Sequence, residues 1–190
     1  MPLRFLAEFL RSPRAVGAIA PSSRALARVM VREMGLAEAR AVCEYGPGTG
    51  AFTGAILSAM GPGALYFAIE QSPRMAAAFR ARFPGVRVFE RSVEEVEAIA
   101  SELGVDQLDA VLCGLPWAAF DEALQDRLLG PLLRILRPGG KFATFAYNQG
   151  LLLPAGRRFR AKLRRHFARV EETPTVWRNL PPAFVYRCTR

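Results

Sequence analysis

The sequence predicts an α/β fold built on one mostly parallel sheet, and three observations carry that expectation. Apolar, β-branched runs alternate with helix-like stretches from Arg40 to Tyr147, and Gly and Pro punctuate the junctions at Gly61-Pro62-Gly63, Pro84-Gly85 and Pro138-Gly139-Gly140. The length of 190 residues suits one domain with a single core better than two. The apolar fraction of 51% against 23% charged residues excludes a largely disordered chain.

Taken in order, the first forty residues hold two helical stretches, Leu3–Arg11 and Ser23–Met34, the second opened by a cap at Ser22 or Ser23. Buried strands are expected at Ala41–Gly46, Ala64–Glu70, Val86–Glu90, Asp109–Gly114 and Lys141–Tyr147. Between them lie helices at Ala51–Met60, Pro73–Phe83, Val93–Leu103 and Glu122–Leu136, the alternation of βαβ units. After Gly150 the pattern changes to a basic helix, Arg157–Arg169, and two β-like runs, Val170–Trp177 and Ala183–Thr189. Consecutive strands with no helix between them pair as an antiparallel hairpin at the sheet edge, which brings the sheet to seven strands. One domain therefore comprises an N-terminal helical segment (1–39), an α/β core (40–150) and a basic helix with a terminal hairpin (151–190).

Twenty-six basic residues against 17 acidic ones give a net charge of +9, so an anionic partner is plausible, although a merely solvated basic surface would read the same way. The three cysteines, Cys43, Cys113 and Cys188, lack metal-ligand spacing, and their odd number argues against a disulfide framework. No metal site and a reducing, cytoplasmic setting are expected. No apolar run approaches the roughly 18 residues of a spanning helix, so membrane contact would be peripheral.

The sharpest local signal is Val42-Cys43-Glu44-Tyr45-Gly46-Pro47-Gly48-Thr49-Gly50, a strand entering a glycine-rich turn ahead of a helix. Such a turn lets backbone approach a ligand closely, and Gly46-x-Gly48-x-x-Ala51 alone does not separate a nicotinamide dinucleotide from another adenosine ligand. Glu70 ends the second strand twenty residues beyond Gly50, where a carboxylate accepts from ribose hydroxyls. Glu44 lies at the carboxyl edge of the first strand, and a carboxylate there suits a cationic amino-acid moiety and repels a pyrophosphate. That combination favours S-adenosylmethionine.

Glu44-x-Gly46-x-Gly48-Thr49-Gly50 resembles motif I of the class I methyltransferases, a Rossmann-like fold, and in particular the branch holding rRNA adenine dimethyltransferases and bacterial phospholipid N-methyltransferases. Base-directed relatives carry an Asn/Asp-Pro-Pro-aromatic motif after the fourth strand, where this chain has Gly114-Leu115-Pro116-Trp117. Without the Asn or Asp no side-chain acceptor remains to align a planar exocyclic amine. The Gly-Leu-Pro variant is similar to the phospholipid N-methyltransferases, as are Gly17-Ala18-Ile19-Ala20-Pro21-Ser22-Ser23 and Asn179-Leu180-Pro181-Pro182-Ala183-Phe184-Val185-Tyr186.

The resemblance implies methylation of the headgroup amine of phosphatidylethanolamine towards phosphatidylcholine, by a monomer peripheral to the inner membrane face. An rRNA adenine dimethyltransferase and a non-catalytic nucleotide- or membrane-binding protein are the alternatives. For the cofactor the resemblance implies Glu44, Gly46, Gly48, Thr49 and Gly50 at the methionine and turn, with Cys113 at the neighbouring strand end. Glu70 falls to the ribose, Gln71, Ser92 and Val93 to the adenine, and Pro21, Ser22 and Ser23 close over the methionine end.

Methyl transfer from a sulfonium is an in-line displacement that needs orientation and dryness more than a nucleophile on the protein. The lipid amine must first lose its proton, because an ammonium has no lone pair. Trp117, Phe120 and Tyr147 are candidates for an aromatic lining that holds a methylated ammonium, with core packing the favoured role for Phe120. The carbonyls of Gly114 and Leu115 are candidates to orient the amine, and His166, the only histidine, is the weaker candidate for a base. In Arg157–Arg169 seven of thirteen residues are Arg or Lys, so that segment is expected on an anionic lipid surface in preference to nucleic acid; Leu3, Leu6, Phe9 and Leu10 line one face of the first helix, which suits either that surface or docking on the protein's own core, as a lid or otherwise.

Overall fold

The computed structural model describes residues 22–190; the helix expected at Leu3–Arg11 and the site residue Pro21 lie outside them. The parallel strands are β1 (Ala41–Tyr45), β2 (Leu65–Ile69), β3 (Val88–Phe89), β4 (Leu108–Cys113) and β5 (Leu136–Tyr147), and the hairpin is β6 (Arg169–Glu172) with β7 (Ala183–Thr189). The order is β3-β2-β1-β4-β5-β7-β6, so β7 lies inside the sheet, paired with β5 from Lys141–Thr189 to Tyr147–Ala183, and β6 forms the edge.

Helices α1 (Arg24–Val31), α2 (Thr53–Ala59) and α3 (Pro73–Arg82) pack on one face of the sheet. The other face carries α4 (Val96–Glu102), α5 (Glu122–Ile135) and α6 (Pro154–His166). Strand alternation divides the side chains between the two layers: Cys43, Tyr45, Phe67 and Ile69 meet α4–α6, while Val42, Tyr66 and Ala68 meet α1–α3. A register shift between Leu108 and Ala110 sends those two residues to opposite faces, and Val111 and Leu112 then continue the alternation.

The elements depart from the sequence expectation where distant contacts decide. β5 begins five residues before Lys141 because Pro138-Gly139-Gly140 is tied to Arg190: Gly139 N–H donates to the Arg190 carbonyl at 2.8 Å and Arg190 N–H to the Gly140 carbonyl at 3.0 Å. β6 ends at Glu172, short of Trp177, since Pro174 has no N–H to offer the ladder and only Val176 regains a bridge, to Ala183. The helix expected at Val93 opens with a single 3₁₀ turn, Val93–Glu95, under a capping box in which the Ser92 hydroxyl and the Glu95 carboxylate serve each other's backbone.

On the α4–α6 face the centre is aromatic. Trp117 stacks on Phe159 with ring centres 4.4 Å apart, and Phe142 stacks on Phe167 at 5.7 Å. Phe159 is therefore the contact that docks α6 against the turn after β4. Phe159→Ala should lower stability by about 3–5 kcal/mol in chemical denaturation, and an unaltered midpoint would show that α6 is docked by other contacts.

Candidate functional site

The carboxyl ends of β1, β2 and β4 converge on the turn spanning residues 46–52. Gly46 N–H donates to the Ile69 carbonyl at 2.9 Å and Gly114 N–H to the Tyr45 carbonyl at 2.8 Å, so the turn hangs between both neighbouring strands. Space there is closed to side chains. A Cβ at Gly46 would lie 2.6 Å from Leu115, one at Gly114 2.6 Å from the Gly46 carbonyl oxygen, and one at Gly50 2.2 Å from the Phe83 ring. Gly46 and Gly50 also carry φ of +59° and +80°, the left-handed region in which a Cβ is strained.

Two carboxylates frame this turn. Glu70, buried just past β2, accepts from Gly48 N–H with Oε2 (3.0 Å) and from Ser72 N–H with Oε1 (2.9 Å). It joins the glycine turn to the entry of α3, a role that sequence reasoning missed, while each oxygen keeps a lone pair for a further donor. Burial raises its pKa, and the Ser72 and Gly48 N–H groups oppose that.

Glu44 is fully buried under α2, where its Oε2 accepts from the Thr53 hydroxyl at 2.7 Å and from the Tyr66 hydroxyl. Its Oε1 is buried without any partner among the described residues. Burial pushes the carboxyl up to about 7, against the pull of the Tyr66 and Thr53 hydroxyls.

Other expected residues take more modest places. Gln71 and Thr49 are exposed, and the Thr49 carbonyl accepts from Arg82 at 2.9 Å. Ser92 uses its hydroxyl oxygen on Glu94 N–H at 3.2 Å, an oxygen that the expected adenine contact would have to share, while Val93 is buried behind it. Ser23 caps α1 through Leu26 N–H at 3.1 Å, and its own N–H donates to Asn179 Oδ1 at 2.9 Å; Ser22, half-buried, precedes it.

After β4 the expectation for Trp117 is corrected, and Phe120 takes the core position favoured for it. Trp117 and Phe120 are both buried, since the 3₁₀ turn Trp117–Ala119 swings the indole away from the carboxyl edge into the aromatic core and onto Phe159. Neither lines an open site. Cys113 likewise turns its side chain into that core, where burial raises the thiol to about 12. Gly114 and Leu115 remain at the carboxyl edge, Leu115 packed over Gly46. Tyr147 also stays there, half-buried at the end of β5, its ring edge-on to Phe145 at 5.4 Å.

His166 is exposed at the last turn of α6. That helix starts beyond the carboxyl end of β5 and delivers the chain to Arg169, which pairs with Thr189 opposite Lys141, so His166 lies at the amino edge of the sheet and cannot be the base. The same course corrects the basic-helix expectation, because α6 runs from one sheet edge to the other instead of along a surface parallel to the site. Four of its expected cations are paired internally: Arg160 and Arg164 with Glu172, Lys162 with Glu122 and Asp126, and Arg169 with Glu171. A groove of about 560 Å³ lined by Phe83, Val86, Val88 and Phe89 runs along edge strand β3 and is bordered by none of the site residues.

The turn and carboxylates fit an S-adenosyl ligand on two counts. The backbone is open beside Gly48, where nothing would meet a Cβ, and Glu44 Oε1 is a buried acceptor with no partner among the described residues, matched to an ammonium. Fold and site together define a class I methyltransferase, the class that draws its methyl group from S-adenosylmethionine. Residues 42–140 match the methyltransferase domain family, and the chain belongs to it. It is similar to the ornithine lipid N-methyltransferase of Singulisphaera acidiphila, 35% identical over 190 residues that cover 97% of this chain and 93% of that protein.

Among solved structures, an O-methyltransferase from Bacillus cereus in complex with S-adenosylhomocysteine superimposes with a TM-score of 0.71, at 15% identity, covering 98% of this chain and 91% of that one. An rRNA methylase from Streptococcus thermophilus gives 0.61 at 15% identity, covering 86% and 94%. The shared fold thus spans different methyl acceptors.

Two outcomes follow from the geometry. Gly48→Ala, at φ +57° with open space around it, should cost only about 1–2 kcal/mol of left-handed strain, whereas Gly50→Ala adds the Phe83 collision and should cost clearly more; equal melting shifts would contradict the packing described. The fold holds Glu44 protonated more readily than an unfolded chain does, so its contribution is full below about pH 4.5 and is lost as pH rises through about 7. Glu44→Gln should therefore gain on the wild type across that window, by up to about 3 kcal/mol, read as the difference between denaturation midpoints at pH 5 and pH 8.

Proposed function

We propose that the chain transfers methyl groups from S-adenosylmethionine to the primary amine of a membrane lipid headgroup. The observation that carries this reading is the likeness, over nearly the whole of both chains, to an ornithine lipid N-methyltransferase. Phosphatidylethanolamine, implied by the sequence resemblance, is the proposed acceptor, and ornithine lipid presents the same chemistry, a primary amine on a lipid. The absence of a side-chain amide or carboxylate in Gly114-Leu115-Pro116-Trp117 supports a lipid amine over a nucleic-acid base.

The residues divide the work. Glu44 holds the methionine ammonium with its free Oε1, the glycine turn lies against the methionine and ribose, and Glu70 offers its remaining lone pairs to the ribose hydroxyls. Gln71, Ser92 and Val93 border the adenine, and Ser22 and Ser23 flank the methionine end. When bound, S-adenosylmethionine supplies an electrophilic methyl on a sulfonium. The Gly114 and Leu115 carbonyls orient the incoming amine, and Tyr147 offers an aromatic face to the methylated product. Positioning and exclusion of water are the protein's contribution to the rate.

Radiolabelled S-adenosylmethionine offered with phosphatidylethanolamine vesicles, ornithine lipid vesicles and rRNA in parallel decides the acceptor. Label is expected in a lipid fraction; label in RNA alone, or in none of the three, overturns the proposal. S-Adenosylhomocysteine should bind more tightly as pH rises through about 7, because ionised Glu44 pairs with the ammonium, and titration calorimetry should show this rise flattened in Glu44→Gln.

A further inference from the structure

Four large apolar side chains stand open to solvent among the described residues: Leu152 (73% exposed), Leu153 (50%), Trp177 (76%) and Leu180 (64%). They fall in two segments only, the turn Asn148–Leu152 with the residue after it, and the connection between β6 and β7. Those segments are tied to each other. Asn148 Nδ2 donates to the Thr175 hydroxyl at 3.2 Å and Asn148 N–H to the Pro182 carbonyl at 3.2 Å, while Asn179, buried beneath the loop, donates to the Pro181 carbonyl at 2.7 Å and accepts from Ser23 N–H at 2.9 Å.

The four side chains therefore sit on one scaffold. Because Tyr147 pairs with Ala183, that scaffold rises from the carboxyl end of the sheet, the same edge that carries the glycine turn.

Scattered exposed leucines need no explanation, but four large apolar groups on one rim do. The surrounding charge has a single sign. There is no Asp or Glu between residues 148 and 170 or between 173 and 190. Arg158 at the start of α6 and Arg178 beside Trp177 are exposed and have no acidic partner among the described residues. The nearest carboxylates in the chain's course, Asp126 on one side and Glu171 and Glu172 on the other, are engaged by Lys162, Arg169, Arg160 and Arg164.

Leucines and a tryptophan flanked by arginines match the headgroup layer of an anionic bilayer, where apolar tips enter the acyl boundary and guanidinium groups meet phosphate. We infer that Leu152, Leu153, Trp177 and Leu180, with Arg158 and Arg178, form the surface that seats the carboxyl edge of this protein on an anionic membrane. This deepens the lipid-methylation reading and rests on it for its biological sense. It also replaces the long face of α6 as the contact, since α6 runs across the molecule with much of its charge internally paired.

The two tryptophans make the test direct, because Trp117 is buried and Trp177 is exposed. Full-length protein is mixed with vesicles of equal phosphatidylglycerol and phosphatidylcholine, which contain no methylatable amine, and with vesicles of phosphatidylcholine alone. Expected are a blue shift of Trp177 emission with the anionic vesicles, quenching by lipids brominated on the acyl chain, and a Trp177→Ser/Leu180→Ser variant whose vesicle affinity falls at least about tenfold. That variant should keep its melting temperature and its S-adenosylhomocysteine affinity.

Flotation of the protein without quenching, undiminished flotation of the double variant, or no vesicle binding at all overturns the inference. An emission shift that grows with protein concentration and accompanies dimers in ultracentrifugation also overturns it, in favour of a second copy as occupant. Methyl transfer to the amine lipid in detergent micelles is measured separately: membrane seating without transfer counts against the proposed activity, and transfer without seating counts against this surface.

Discussion

The site depends on how closely three strand ends can approach one another. Gly114 lies against the carbonyl of Gly46 at a distance that leaves no room for a Cβ, and Gly46 in turn lies under Leu115. Hydrogen bonds from Gly46 to β2 and from Gly114 to β1 hold that approach in place, and Glu70 carries it outward by gripping Gly48 with one oxygen and the start of α3 with the other. The ligand-facing backbone is therefore fixed by the sheet rather than by the loop's own preferences, which preorganises it at no cost when a ligand arrives. A glycine turn of the same sequence on a splayed sheet would not have this shape.

Glu44 works in the opposite sense. A fully buried carboxylate with one oxygen unserved is an expense to the folded chain, partly offset by the Thr53 and Tyr66 hydroxyls. An ammonium at Oε1 would complete its hydrogen bonding and cancel its charge, so binding energy and relief of a buried, half-satisfied acid become the same event. Stability given up without ligand is recovered with it, an arrangement that favours the occupied state over the empty one.

Much of this was legible from the chain alone because it is local. The spacing of Glu44, Gly46, Gly48 and Gly50, the alternation that set five strands and four helices between Arg40 and Tyr147, and the hairpin after Gly150 are all short-range patterns. What escaped depends on contacts far apart in sequence. Trp117 follows a strand end as a ligand-lining aromatic would, but Phe159, forty-two residues later, draws it into the core. His166 looks suited to proton transfer until the antiparallel return of the chain places it at the wrong end of the sheet. The dense charge of α6 reads as a surface footprint until Glu122, Asp126 and Glu172 are found facing it. Patterns within one element survive folding, whereas the role of a single side chain is decided by what folds against it.

The placement of β7 between β5 and β6 separates two kinds of evolutionary freedom. The strand is gripped by β5 along its whole length and by β6 from Tyr186 to Thr189, so the connection that precedes it can change length or composition without loosening the sheet, at a closure cost of only about 0.6 kcal/mol for each doubling. The glycine turn lies three strands from β7 on the same edge and has no such latitude, since Gly46 and Gly50 are packed against neighbours. A chain of this design can rework the rim between β6 and β7, and with it the surface on which it is seated, while the glycine turn stands still.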